Sequence, residues 1–154
     1  MHDAEEFRYL VLAAQREGAR LIGLELKPLG VTTAQGEVLR VLQDHQPLTL
    51  NGLGELLVCE TGTSPSRLVD RLCAAGLVNR QPGVLDRRHI ELTLTPEGRE
   101  VAERIADIEQ RFYQRIRDSA QGGDLQHVND YLRAFVGELP TGRALARRIR
   151  LEQS

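Results

Sequence analysis

Residues 64–98 read SPSRLVDRLCAAGLVNRQPGVLDRRHIELTLTPEG, and two periodicities meet in them. In the first half Leu68, Val69, Leu72 and Cys73 share one side of a helix. Thr63, Ser66, Arg67, Asp70 and Ala74 fall on the other side at i, i+3, i+4, i+7 and i+11. Pro65 suits the first helical position and Gly76 the stop. In the second half the period drops to two. Leu77 to Arg80 reads as a short strand, and Pro82-Gly83 marks a turn. Ile90, Leu92 and Leu94 alternate with Glu91 and Thr93 as in a half-buried strand. GVLDRR is the polar tip of the resulting hairpin. Thr95 and Pro96 then open another helix.

Upstream, Thr32 and Gln35 make a capping box for a helix with Val38, Leu39 and Leu42 inside, broken at Pro47. Thr49 caps a third, short helix that buries Leu53, Leu56 and Leu57. Gly52 and Gly54 cost that helix about 1 kcal/mol each relative to Ala, so packing must hold it. A turn around Cys59 and Gly62 leads back to Ser64. Helices two, three and four followed by a hairpin have the layout of a winged helix-turn-helix. The flanks are helical. Asp3 to Glu25 carries an apolar stripe from Phe7 to Ile22. Val101, Ile105, Ile108, Phe112 and Ile116 line a fifth helix. Asp124 caps a sixth, whose stripe runs from Leu125 to Leu139. Beyond Pro140 a basic tail resumes as helix. The fold class is mainly α with a small β-hairpin wing.

Charge is unevenly spread over the 154 residues. The formal net charge is −2. Residues 61–90 and 142–154 each carry +3, and the remainder carries −8. That split puts an electropositive surface on an acidic body. It excludes a uniformly basic coat protein. Aromatics are 4% with no Trp, which argues against a stacking groove. Two cysteines, Cys59 and Cys73, cannot build a disulfide framework. His2, His45, His89 and His127 have no metal-ligand spacing, and no nucleophile elbow, P-loop or HExxH motif occurs. Neither a cofactor nor an enzyme is expected. The acidic start has no secretory apolar run, and no stretch is long enough to span a bilayer, so the expected setting is the cytoplasm.

Several pieces now fall in a diagnostic order: Thr32-Thr-Ala-Gln35, Pro47-Leu-Thr49, Ser66 to Leu72, Gly76-Leu-Val78, Asp86-Arg-Arg88 and Leu94-Thr-Pro-Glu-Gly98. Together they resemble the MarR family of bacterial transcription regulators across roughly 31–102. The resemblance implies a homodimer on a pseudo-palindromic double-stranded operator. Residues 31–99 would be the winged helix-turn-helix, and 1–30 with 100–154 the helical dimerisation region. The large apolar stripes of the flanking helices agree, because a reading unit of about 70 residues is too small to cover them. The expected DNA contacts are Thr63, Ser64, Ser66, Arg67 and Arg71 from the fourth helix and its cap. Hydroxyls serve phosphates or bases, and Arg67 can reach guanine bidentately. By resemblance, Arg87 and Arg88 come from the wing, with Arg88 at the minor groove and Asp86 supporting the wing by ion pairing. Asp70 needs an Arg to neutralise it against DNA.

The family also implies a repressor released by a small-molecule effector or an oxidant. Arg16, Arg20 and His45 are polar candidates for the effector site, whose lining the sequence does not define. Cys59 has two readings: a small buried filler, or a redox-sensing thiol with a lowered pKa at a helix N-terminus. The alternative from another class is a winged-helix protein-interaction module. Retention of Ser66, Arg67, Arg87 and Arg88 discriminates against it. The tail arginines could touch DNA or pair with acidic groups across the dimer.

Overall fold

The computed structural model describes residues 1–59 and 62–154. The expected turn around Cys59 and Gly62 includes Glu60 and Thr61, which lie outside the described residues. The elements in chain order are α1 (Asp3–Leu26), a 3-10 turn (Lys27–Leu29), α2 (Thr33–His45), β1 (Leu48–Thr49), α3 (Leu50–Gly54), α4 (Pro65–Ala74), β2 (Val78–Pro82), β3 (Ile90–Leu94), α5 (Pro96–Ser119), α6 (Leu125–Val136) and α7 (Pro140–Glu152). This is the mainly α chain with a small sheet that the sequence predicts.

Side-chain caps start the helices where the residues predict them. Thr32 and Gln35 bond reciprocally at the head of α2. Thr49, Ser64, Thr95 and Asp124 each accept the backbone N–H three residues on, at the heads of α3, α4, α5 and α6. Each cap satisfies one of the donors a helix start leaves open. Gly76, at φ 74, closes the turn after α4.

The core gathers Val38, Leu39, Val41 and Leu42 of α2 with Leu53, Leu56, Leu68, Val69 and Leu72. Val78, Leu92 and Leu94 of the hairpin close it from one side. Leu26 from α1 and Ala102, Ile105 and Ile108 from α5 enter the same cluster, so the flanking helices are rooted in it. The base of the wing and the head of α5 are tied together. Thr95 donates its N–H to Leu77 O (3.1 Å) and its hydroxyl to Gly76 O (2.7 Å). A Cβ at Gly98 would lie 2.0 Å from that Leu77 oxygen, so only glycine permits the approach.

Four details differ from the sequence expectation. The sheet has a third strand: β1 pairs antiparallel with β3 (Leu48 with Leu92), giving the order β1-β3-β2. Two residues are too few to show a period. β2 starts and ends later than Leu77–Arg80, and Pro82 still pairs with Ile90. Proline is tolerated there because β2 is an edge strand. Ile90 is exposed rather than half-buried, since it sits where the hairpin leaves the core. α3 ends at Gly54, so the buried Leu56 follows the helix rather than belonging to it.

The far halves of the flanking helices remain uncovered. α6 has no buried residue, and Val128, Tyr131 and Phe135 are exposed. Tyr9, Leu10, Val11 and Leu12 of α1 are exposed as well. Within the chain, Phe7 meets Tyr131 edge-on at 5.4 Å between ring centroids. α7 is a full helix after Pro140, and a Cβ at Gly142 would lie 1.9 Å from Val136 O, which fixes a tight corner with α6.

Candidate nucleic-acid interface

α4 presents the two faces that its spacing predicts. Leu68, Val69 and Leu72 are buried, and Ser66, Arg67, Asp70 and Arg71 are exposed. Ser64 is exposed, and its Oγ accepts the Arg67 N–H at 3.3 Å, so its hydroxyl oxygen is engaged as the cap. Thr63 is half-buried just ahead of it. Arg67 and Arg71 make no ion pair among the described residues. Asp70 is paired with Arg80 of β2. That contact neutralises the one carboxylate on the outer face and ties the helix to the wing.

The wing tip is built around Asp86. Its Oδ1 accepts the Arg88 N–H (3.0 Å) and Nε–H (3.1 Å), and its Oδ2 accepts from Arg88 Nη2 (3.1 Å). His89 Nε2 lies 3.5 Å from the same carboxylate. The Arg88 side chain, then the Arg88 backbone N–H, hold the Asp86 carboxyl below the usual carboxylate range. The loop closes through Gly83 N–H to His89 O at 2.8 Å. A Cβ at Gly83 would meet Asp86 O at 2.6 Å. Arg88 is 89% exposed despite its pairing, and Arg87 is exposed beside it. Both guanidinium groups therefore stand at the tip, one oriented by Asp86.

A cavity of about 380 Å³ lies between the reading unit and the flanking helices. Ile22 and Leu26 of α1, Ile105 of α5, and Leu145 and Ile149 of α7 give it apolar walls. Glu37, Cys59, Glu109, Tyr113, Arg148 and Glu152 supply its polar groups. Glu37 is the hub. It is 8% exposed and accepts the N–H groups of Val58 (2.7 Å) and Cys59 (2.8 Å). Arg148 of α7 donates to it at 3.1 Å. Glu109 accepts from Arg40 Nε at 2.9 Å, and Asp44 lies 3.6 Å from Arg40.

Arg16, Arg20 and His45, the sequence candidates for an effector site, do not line this cavity. Arg20 instead pairs with Glu17 on an exposed face, and His45 Nε2 is buried without a hydrogen-bond partner. The structure bears on both readings of Cys59. The residue as a whole is exposed, while its sulfur is drawn in against the cavity wall beside Glu37. Its thiol is pushed up to about 12, by burial of the sulfur first and by Glu37 next, the reverse of a sensing thiolate. Three of the four tail arginines pair within their own chain: Arg143 with Glu138 (3.2 Å), Arg147 with Glu55 (4.0 Å) and Arg148 with Glu37. Among the described residues no set of acidic, His and Cys groups could hold a metal, and no helix is long and apolar enough to cross a membrane.

A family model described as "MarR family" matches residues 31–90. The organic hydroperoxide resistance transcriptional regulator of Bacillus subtilis is 30% identical over 100 residues, 65% of this chain and 67% of that protein. The multiple antibiotic resistance protein MarR of Salmonella typhimurium is 30% identical over 94 residues, 61% of this chain and 65% of that protein. The chain thus spans about two thirds of the length of these relatives. A mutant MarR from E. coli, solved in complex with operator DNA, shares the fold with a TM-score of 0.74 at 24% identity, over 85% of this chain and 94% of that one.

A capped helix with an arginine-bearing outer face, joined to a basic wing, defines a winged-helix DNA-binding protein of the transcription-regulator class. Its relatives are regulators and not enzymes. The chain belongs to the MarR family.

Proposed function

We propose that the chain is a homodimeric transcriptional repressor, acting in the cytoplasm and binding a pseudo-palindromic operator. α4 and its cap read the major groove through Thr63, Ser64, Ser66, Arg67 and Arg71. Arg87 and Arg88 engage the minor groove, whose narrow stretches concentrate negative potential. Residues 31–99 read DNA, and residues 1–30 with 100–154 form the dimer. The observation that carries this reading is the pairing of Asp70 with Arg80, which among the described residues leaves Arg67 and Arg71 as the uncompensated charges of the outer face. The uncovered apolar faces of α1 and α6 support the dimer. The cavity between α1, α2, α5 and α7 is the place for a small-molecule effector that releases DNA.

The test is binding to the DNA upstream of its own gene against scrambled DNA of equal length, over a salt series. Preference for the natural fragment that survives physiological salt supports the reading. Weak, equal binding that vanishes with salt, together with a genome-wide selection that recovers no preferred fragment, would leave the interaction module instead.

A redox-switched regulator is the second reading, favoured by similarity to a hydroperoxide resistance regulator. The raised Cys59 thiol weighs against it. Cys59→Ser should leave DNA release by peroxide unchanged. A mutant that no longer releases DNA would restore the redox reading.

A further inference from the structure

Resting on the reading of the cavity as the effector site, we infer that it selects small apolar organic cations, such as an amine or quaternary ammonium on a hydrocarbon body, over anions of the same size. The volume is at the small end of ligand sites, which run roughly 300–1,000 Å³. The walls are hydrocarbon, so the ligand needs an apolar body.

The sign of its charge follows from which wall charges are already committed. Three carboxylates, Glu37, Glu109 and Glu152, face one guanidinium, Arg148. Arg148 is bonded to Glu37 and lies 3.9 Å from Glu152. Arg148 keeps further N–H groups, but its charge is offset by Glu37, so an anion gains little net attraction there and is repelled by Glu109 and Glu152. Arg40, behind the wall, is held in the same way by Glu109 and Asp44.

A cation meets no such obstacle. Glu37 is saturated by two backbone N–H groups and Arg148. Glu152 is half-exposed and only loosely paired. Glu109 gives Oε2 to Arg40, and no hydrogen bond to its other oxygen is formed among the described residues. The Tyr113 ring adds a face that attracts cations. The Cys59 and Tyr113 pKa values are both raised, with acidic and basic neighbours acting in opposite directions on each. Burial is the first cause of the raised Cys59 and Tyr113 values, but Glu37 adds to the first and Glu109 to the second. With no metal-ligand cluster among the described residues, the cation is an organic one.

Three probes of one shape decide the matter: 3-phenylpropyl-trimethylammonium, 4-phenylbutyrate and 4-phenylbutanol. Each is titrated into the full chain by calorimetry, and in parallel into its complex with bound DNA by fluorescence anisotropy. The ammonium is expected to bind about tenfold or more tighter than the carboxylate. Glu109→Gln and Glu152→Gln should each weaken the ammonium severalfold and leave the alcohol unchanged, which also shows that the variants are folded. A carboxylate that binds as well as the ammonium, an ammonium indifferent to both variants, or no binding of any probe overturns the inference. Ammonium binding that leaves DNA bound supports the ligand class and sinks the effector role. A carboxylate that binds and releases DNA does the opposite.

Discussion

Arg67 and Arg88 are both proposed DNA contacts, but they stand on different footings. Arg67 is exposed on a rigid helix, near the capped end that enters a groove first. If it is bidentate to a base, Arg67→Ala costs about 1–3 kcal/mol of discrimination at one operator position. Binding measured against single-base operator variants checks this, and uniform weakening of all sequences would make it a phosphate contact. Arg88 is held by Asp86, and that pair has a pH signature. The Asp86 carboxyl titrates below its ordinary value of 3.8 because Arg88 favours the charged form. The stabilisation of the wing tip is therefore complete above that ordinary value and is lost as pH falls through the lowered one. A carbon-detected NMR titration should give a midpoint below 3.8 that Arg88→Ala moves upward. An unmoved midpoint would mean that the two groups do not pair in solution.

At the scale of elements, α2, the loop after α3 and α7 converge on one carboxylate. Glu37 is bonded to Val58, Cys59 and Arg148 at once. Removing one partner of a buried charge pair typically costs about 3–5 kcal/mol, so Glu37→Ala should fall in that range by urea unfolding, with Glu37→Gln nearer to the native protein. A loss under about 1 kcal/mol would show that the junction is held by packing alone. None of this was legible in the sequence. Arg148 lies 111 positions from Glu37 and reads only as one charge in a basic tail. Helix starts were legible because a cap and the backbone N–H that donates to it sit three residues apart, as at Thr32, Thr49 and Thr95. The ion pairing of Asp86 in the wing was expected from the family resemblance alone, and its partner is Arg88, two residues on. Arg16, Arg20 and His45 do not line the cavity, because polarity at a helix edge says nothing about which helix packs opposite. The cavity is a product of α7 folding back, which only long-range contacts determine.

At the scale of the whole molecule, the uncovered apolar faces are the surfaces on which the proposed dimer would form. Tyr131 and Phe135 are 61% and 66% exposed, on a helix that buries nothing within its own chain. Tyr131→Glu should weaken the dimer by about 2 kcal/mol or more, roughly 30-fold in its Kd, and lower operator affinity in step. Sedimentation checks the first and anisotropy the second, while an unchanged dimer would move the interface elsewhere on α1 or α7. The tie at the base of the wing then acquires a mechanical meaning. Thr95 and Gly98 clamp the head of α5 to the strand end with no room for a hinge. α5 has 24 residues and so runs about 36 Å, a lever welded to the reading head at one end. Turning that head by five degrees moves the far end of the lever sideways by only ~3 Å, a displacement that repacked side chains can supply. In the proposed dimer, small adjustments among the distal helices are thus geared to the separation of the two reading heads.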